Sequence, residues 1–131
     1  MKRSILIIED EKNISNLIKF LLINKGYSVN QEYNGFTGLI NAKQSSPSLI
    51  ILDVMMPKFN GFQVAKELKQ NIITNKIPIL MLSSAAHDKH KELGLSIGVD
   101  EFITKPFDKN HLLDKVNELI KWYLQKKTIN F

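Results

Sequence analysis

The sequence predicts an α/β protein built on a parallel sheet, and three observations carry that prediction. Short apolar runs alternate along the chain with stretches of helical periodicity, five of each. The central run, Leu49-Ile50-Ile51-Leu52, is continuously aliphatic, as expected of a strand covered by helices on both faces. A length of 131 residues suits one domain with one core, large enough to do without disulfide or metal staples.

The first strand, β1, is expected at Ser4–Ile8 and runs directly into Glu9 and Asp10. Glu11 opens helix α1, whose inner stripe is Ile14, Leu17, Ile18 and Leu21; Gly26 closes it in the left-handed conformation open to a residue without Cβ. A weaker strand, β2, covers about Ser28 to Glu32, and its polar composition suits a sheet edge. Asn34-Gly35 turns into α2, which ends before Ser46-Pro47. Gly38 inside α2 costs about 1 kcal/mol relative to alanine, so α2 is expected among the less stable helices.

The central strand, β3, is the run from Leu49 to Asp53, and Pro57 halts the segment that follows. Lys58-Phe59-Asn60-Gly61 makes a turn into α3, where Phe62, Val64, Ala65 and Leu68 supply the buried side. Beyond a polar loop from Asn71 to Lys76, Pro78 introduces β4 (Ile79–Leu82), which ends in Ser83-Ser84. Helix α4 is expected from about Asp88 to Leu95 and leads through Gly98 to β5 (Glu101–Thr104), which ends in Lys105-Pro106. The last helix, α5, runs from about Asn110 to Lys126. Its stripe of Leu112, Leu113, Val116, Leu119, Ile120 and Tyr123 packs on the sheet, with Trp122 off the stripe.

Composition removes several classes of function. The absence of cysteine excludes disulfide scaffolding, thiolate zinc sites and cysteine nucleophiles, and it fits a reducing compartment. The apolar stretch after Met1-Lys2-Arg3 is too short for a signal-peptide core or a membrane span, so a soluble, cytoplasmic protein away from membranes is expected. The net charge of +5 comes from lysines scattered through every segment. The densest basic patch, Lys121, Lys126 and Lys127, lacks an arginine-rich groove or a row of aromatic platforms; it reads as a solvated helix end, and no direct nucleic-acid binding is expected.

Taken alone, an aspartate leaving a strand more often caps the next turn than does chemistry. Asp53 also stands at the carboxyl edge of the sheet, where open α/β folds bind ligands. With right-handed crossovers, the strand tips bring Glu9, Asp10, Asp53, Ser83 and Lys105 to that same edge. Three neighbouring carboxylates repel and hold protons unless a cation neutralises them. Mg²⁺ suits hard oxygen donors and needs few of them from the protein, whereas Ca²⁺ prefers a dedicated cage. Ser83 is placed to donate a hydrogen bond to a transferred group, and Lys105 to neutralise developing charge. These are the parts of a phosphoryl-transfer site with Asp53 as nucleophile.

The same residues resemble the receiver domain of bacterial two-component response regulators, and the likeness covers nearly the whole chain. It rests on Glu9-Asp10, on Asp53-Val54-Met55-Met56-Pro57 with Gly61-Phe62, on Leu82-Ser83, and on Gly98-Val99-Asp100-Glu101-Phe102-Ile103-Thr104-Lys105-Pro106-Phe107. The resemblance implies a flavodoxin-like, doubly wound sheet of order 2-1-3-4-5 flanked by five helices. It further implies that Asp53 takes a phosphoryl group from a sensor histidine kinase or a histidine phosphotransfer protein. Mg²⁺ would be held by Asp10, Asp53 and the backbone carbonyl of Met55, with Glu9 acting through water. Ser83 and Lys105 would bind the phosphoryl group, Phe102 would be the switch aromatic that follows Ser83, and the Lys105-Pro106 bond would be cis. Glu9 stands where the commonest pattern has aspartate, Ser83 where it has threonine, and Ser84 where alanine is usual.

On this reading residues 1–124 form the receiver and 125–131 a tail or linker stub. The chain is a signalling module that catalyses only its own phosphoryl transfer and slow autodephosphorylation, because Met55 and Ala85 bring no polar group to orient an attacking water. Its output surface is α4-β5-α5, with a homodimer through that face as one form of output. Two other classes compete. A small aspartate-nucleophile phosphatase of the haloacid-dehalogenase type wants a second acid two residues after the nucleophile, where Met55 stands; a nucleotide-binding flavodoxin-like protein wants a glycine-rich loop after β1. His87, His90 and His111 lack metal-site spacing and read as surface residues. Trp122, with Leu124, Ile129 and Phe131, either contacts a partner or folds back onto its own helix.

Overall fold

The computed structural model of the chain describes residues 3–84 and 88–129. Ten elements alternate strictly: β1 (Ser4–Ile8), α1 (Lys12–Ile23), β2 (Ser28–Glu32), α2 (Gly35–Ser45), β3 (Leu49–Asp53), α3 (Gly61–Gln70), β4 (Ile79–Ser83), α4 (Asp88–Ile97), β5 (Glu101–Thr104) and α5 (Lys109–Ile129). All strand pairs are parallel and the order is β2-β1-β3-β4-β5.

Every residue of β3 and β4 is buried, which is why their runs are aliphatic without alternation. Successive side chains still point to opposite faces. Leu6, Ile8, Ile50, Leu52 and Met81 meet Ala42 of α2 and Val64, Ala65 and Leu68 of α3. Ile5, Ile7, Leu49, Ile51, Leu80 and Leu82 meet Ile18 and Leu22 of α1 and Leu112, Val116 and Ile120 of α5. The polar strand β2 is at the edge, as its composition indicates.

Two details depart from the expected pattern. The buried line of α1 is Ser15, Ile18 and Leu22, whereas Leu17 is 50% exposed. Leu17 is turned about 100° from Ile18 around the helix axis, so both cannot face the sheet. Helices α4 and α5 run on to Ile97 and Ile129, past Leu95 and Lys126. Gly38 is buried in α2 because a Cβ there would stand 2.7 Å from Ile8 Cδ1, so glycine lets the helix approach β1. The end of α1 does follow the expected chemistry. Gly26 has φ +91°, its N–H donates to Ile23 O (2.9 Å), and the Tyr27 N–H donates to Leu22 O (3.2 Å), a Schellman closure.

Candidate phosphoryl-acceptor and metal site

Register places the functional side chains. Ile8 pairs with Leu52 and Asp53 with Leu82, so Glu9 and Asp10 leave β1 beside the end of β3, and Ser83 ends β4 one residue further along. Ser83 pairs with Thr104, and the Lys105 N–H donates to Ser83 O at 2.7 Å, which brings the tip of β5 to the same edge. The Lys105-Pro106 bond is cis.

Asp53 is 3% exposed, and Glu9 is fully buried. One carboxylate oxygen from each of Glu9, Asp10 and Asp53 lies within 4.8 Å of the others. Lys105 Nζ bridges two of them, at 2.6 Å from Glu9 Oε1 and 3.1 Å from Asp53 Oδ1. Glu9 Oε2 also accepts the Glu11 N–H at 3.2 Å. Three clustered carboxylates with one lysine leave negative charge uncompensated. The donors are all hard oxygens, so the set fits a hard divalent cation. Met55, 63% exposed in the loop after β3, could offer a hard divalent cation only its backbone carbonyl.

Burial dominates the electrostatics. Desolvation pushes the Glu9 carboxyl from its ordinary 4.5 up to about 7, although its hydrogen bond to Lys105 opposes the change. Asp53 is raised for the same first reason, with the Lys105 charge again in opposition. Burial alone would lower Lys105, but the hydrogen bond to Glu9 and the charge of Asp53 outweigh it and raise the ammonium's pKa.

The loop after Asp53 is fixed by its backbone. The Val54 N–H donates to Leu82 O at 3.0 Å and the Gly61 N–H to Val54 O at 2.8 Å. A Cβ on Gly61 would collide with the Asp53 carbonyl oxygen, so this glycine serves close approach as well as turning. Asn60 and Gln63 form a reciprocal capping box that starts α3 (3.0 and 2.9 Å). The spacing Asn60-x-x-Gln63 announces that box in the sequence; the steric role of Gly61 leaves no local signal beyond the glycine itself.

The structure thus brings together Glu9, Asp10, Asp53, Ser83 and Lys105. Phe102 lies on β5, two residues before Thr104 at the strand tip, half-buried, with its ring against Gly94 of α4. His90 packs edge-on to Phe62 at 5.5 Å between ring centroids. Ala85, His87 and Phe131, and the side chains of Lys127 and Ile129, lie outside the described residues. Among the described residues, no helix is long and apolar enough to cross a membrane.

Comparison with known proteins agrees with this geometry. Residues 5–117 match the family described as the response regulator receiver domain. The response regulator ArlR of Staphylococcus saprophyticus is 36% identical over 126 residues, covering 96% of this chain and 56% of that protein. The DNA-binding dual master transcriptional regulator RpaA of Synechocystis is 40% identical over 117 residues, covering 89% of this chain and 48% of that protein. The chain therefore spans about half the length of the curated relatives it matches. Among solved structures, the Vibrio cholerae chemotaxis protein CheY4 superimposes with a TM-score of 0.87 at 27% identity, covering 91% of this chain and 99% of that one.

Proposed function

We propose, from the premise that this chain belongs to the response regulator receiver domain family, that Asp53 is the residue through which it takes a phosphoryl group from a histidine kinase. The observation that supports this most is the convergence of one buried aspartate, two further carboxylates and one lysine at the tips of β3, β1 and β5. Geometry gives the phosphatase alternative no support, since position 55 carries an exposed thioether in place of a second acid.

An oxygen of the Asp53 carboxylate attacks phosphorus, the bond from phosphorus to the imidazole nitrogen of the donor breaks, and the acyl phosphate remains on Asp53. Asp10, Asp53 and the Met55 carbonyl would hold Mg²⁺, with Glu9 reaching it through water. The bound ion would screen the carboxylates and the incoming phosphoryl oxygens from one another. Lys105 exchanges its contact with Asp53 for one with a phosphoryl oxygen, and Ser83 donates to another. Phe102 follows Ser83 and changes the surface of α4, β5 and α5, where Leu93 and Leu95 stand exposed. Self-association through that face is one form of output, and addition of beryllofluoride would then raise the oligomeric mass.

The direct test is intact-mass analysis after incubation with a phosphohistidine donor or acetyl phosphate. One phosphoryl group per chain is expected, dependent on Mg²⁺ and abolished by Asp53→Asn. Retention of the modification in that variant would exclude the assignment.

A further inference from the structure

The end of the sheet where the strands begin carries a second feature. A cavity of about 560 Å³ lies there, within the usual size range of binding sites. Its apolar wall comes from Ile72, Ile73 and Ile77 in the α3–β4 connection and from Trp122 and Tyr123 of α5. Ile72 is 88% exposed, Ile73 57% and Trp122 42%. Adjoining exposed apolar side chains of this kind mark interaction surfaces.

The loop that presents the isoleucines is built to hold them outward. The Thr74 hydroxyl is buried and donates to Leu68 O at 2.7 Å. The Ile73 N–H donates to Asn71 Oδ1 at 2.9 Å, and the Ile77 N–H donates to Thr74 O at 3.1 Å. Folding Ile72 and Ile73 inward would break these bonds and strand a buried hydroxyl.

Charge specifies the visitor. Lys69, Lys76 and Lys126 line the cavity against one acid, Asp100. Asp100 Oδ2 is already committed to the Ile79 N–H (2.8 Å) and to Lys69 Nζ (3.5 Å), while Lys69 also donates to Ile77 O (2.9 Å). That pair cancels. Lys126 Nζ lies 4.5 Å above the Trp122 ring, so a cation and an aromatic face are presented together. Lys76 has no ion-pair partner among the described residues.

We propose that this cavity docks an acidic segment of a partner protein, one aliphatic or aromatic side chain seating among Ile72, Ile73 and Trp122 while carboxylates meet Lys76 and Lys126. A second copy of the chain is the poorer occupant, because a two-fold contact would set the same lysines against themselves. The apolar wall also runs from Trp122 to Ile72, which is 88% exposed, further than a small anion would cover. A five-residue strand separates this surface from Asp53, about 15 Å, so an occupant leaves the acceptor carboxylate open to its donor.

A random peptide library displayed on phage and selected against the full chain tests this, with the Lys76→Glu/Lys126→Glu double variant as counter-selection. Enriched peptides should be acidic and carry one bulky apolar residue. A synthetic version should shift the Trp122 indole and the amides of residues 72–77 in the ¹⁵N spectrum. Its affinity should fall at least about tenfold in the double variant and in Ile73→Asp. Both variants change exposed positions, and unchanged thermal midpoints would show that they fold. Peptides without acidic bias, equal binding to parent and variants, or a selection yielding no charge-dependent binder would each overturn the proposal. So would self-association of the chain alone with the same sensitivity to these variants, which would assign the surface to a second copy.

Discussion

The ring of Phe102 lies so close to Gly94 that a methyl group at position 94 would overlap the end of the ring and come within 2.7 Å of its Cε2. Helix α4 and strand β5 therefore share a slot that exists only because position 94 has no side chain. Phe102 is the proposed reporter of Asp53, and Gly94 is part of the space in which that reporter moves.

Gly94→Ala should displace the ring. On helix propensity alone the change would stabilise α4 by about 1 kcal/mol. Overpacking of this kind costs about 1–3 kcal/mol, so a net loss is expected in urea denaturation. The aromatic resonances of Phe102 should move as well. In a Phe102→Ala background the substitution should lose its penalty, and a Gly94→Ala protein as stable as the parent would show that the slot yields freely.

Gly38→Ala offers a parallel case on the same face of the sheet, where α2 meets β1. A Cβ at position 38 would meet the Ile8 side chain at 2.7–2.9 Å. A loss of about 1–3 kcal/mol is expected in place of the gain that propensity forecasts. Because the two residues touch, Ile8→Val should absorb part of that loss, and a double-mutant cycle measures the coupling. Strict additivity would contradict the contact.

Lys105→Ala removes the cation that bridges Glu9 and Asp53. Breaking a buried pair leaves uncompensated charge and typically costs about 3–5 kcal/mol. The loss should be near the top of that range at about pH 8 and much smaller at about pH 5, where the carboxylates can take up protons. Denaturant midpoints at the two pH values decide the matter. Phosphorylation of the variant should also be severely slowed.

The raised carboxyls give the metal-free protein a specific pH dependence. Glu9 binds its proton more tightly in the folded chain than at its ordinary 4.5, and Asp53 is shifted in the same direction. The contribution of Glu9 to stability is therefore complete below about pH 4 and is lost as pH rises through about 7, and Asp53 acts in the same direction. Between about pH 5 and 7.5 the thermal midpoint without metal should fall. Mg²⁺ binds the deprotonated carboxylates, so its stabilising effect should grow over the same interval. Glu9→Gln should flatten the metal-free slope, and a midpoint that climbs with pH in the parent would contradict the assignment.

The amino-acid sequence by itself determined the alternation of strands and helices, the polar edge strand β2, and the position of Asp53 at the end of the most deeply buried run. These features are local: hydrophobic period and the residues that stop a strand are written in consecutive positions. It also placed Glu9, Asp10, Ser83 and Lys105 at strand tips, which a parallel sheet must gather at one edge. Tertiary structure alone decided what those groups do to one another. That Lys105 bridges Asp53 and Glu9, the latter at a sequence separation of 96, depends on register and on the depth at which each tip is buried. Gly38 reads as a weak point in a helix and turns out to be a clearance for Ile8, and Gly94 clears Phe102 with no sign of it in the sequence, because only the packing of helix on sheet decides where a Cβ would fall. The cavity that joins Ile73 to Trp122 and Lys126 has no signature in sequence order either, since its walls come from segments about fifty residues apart whose meeting is set by the fold as a whole.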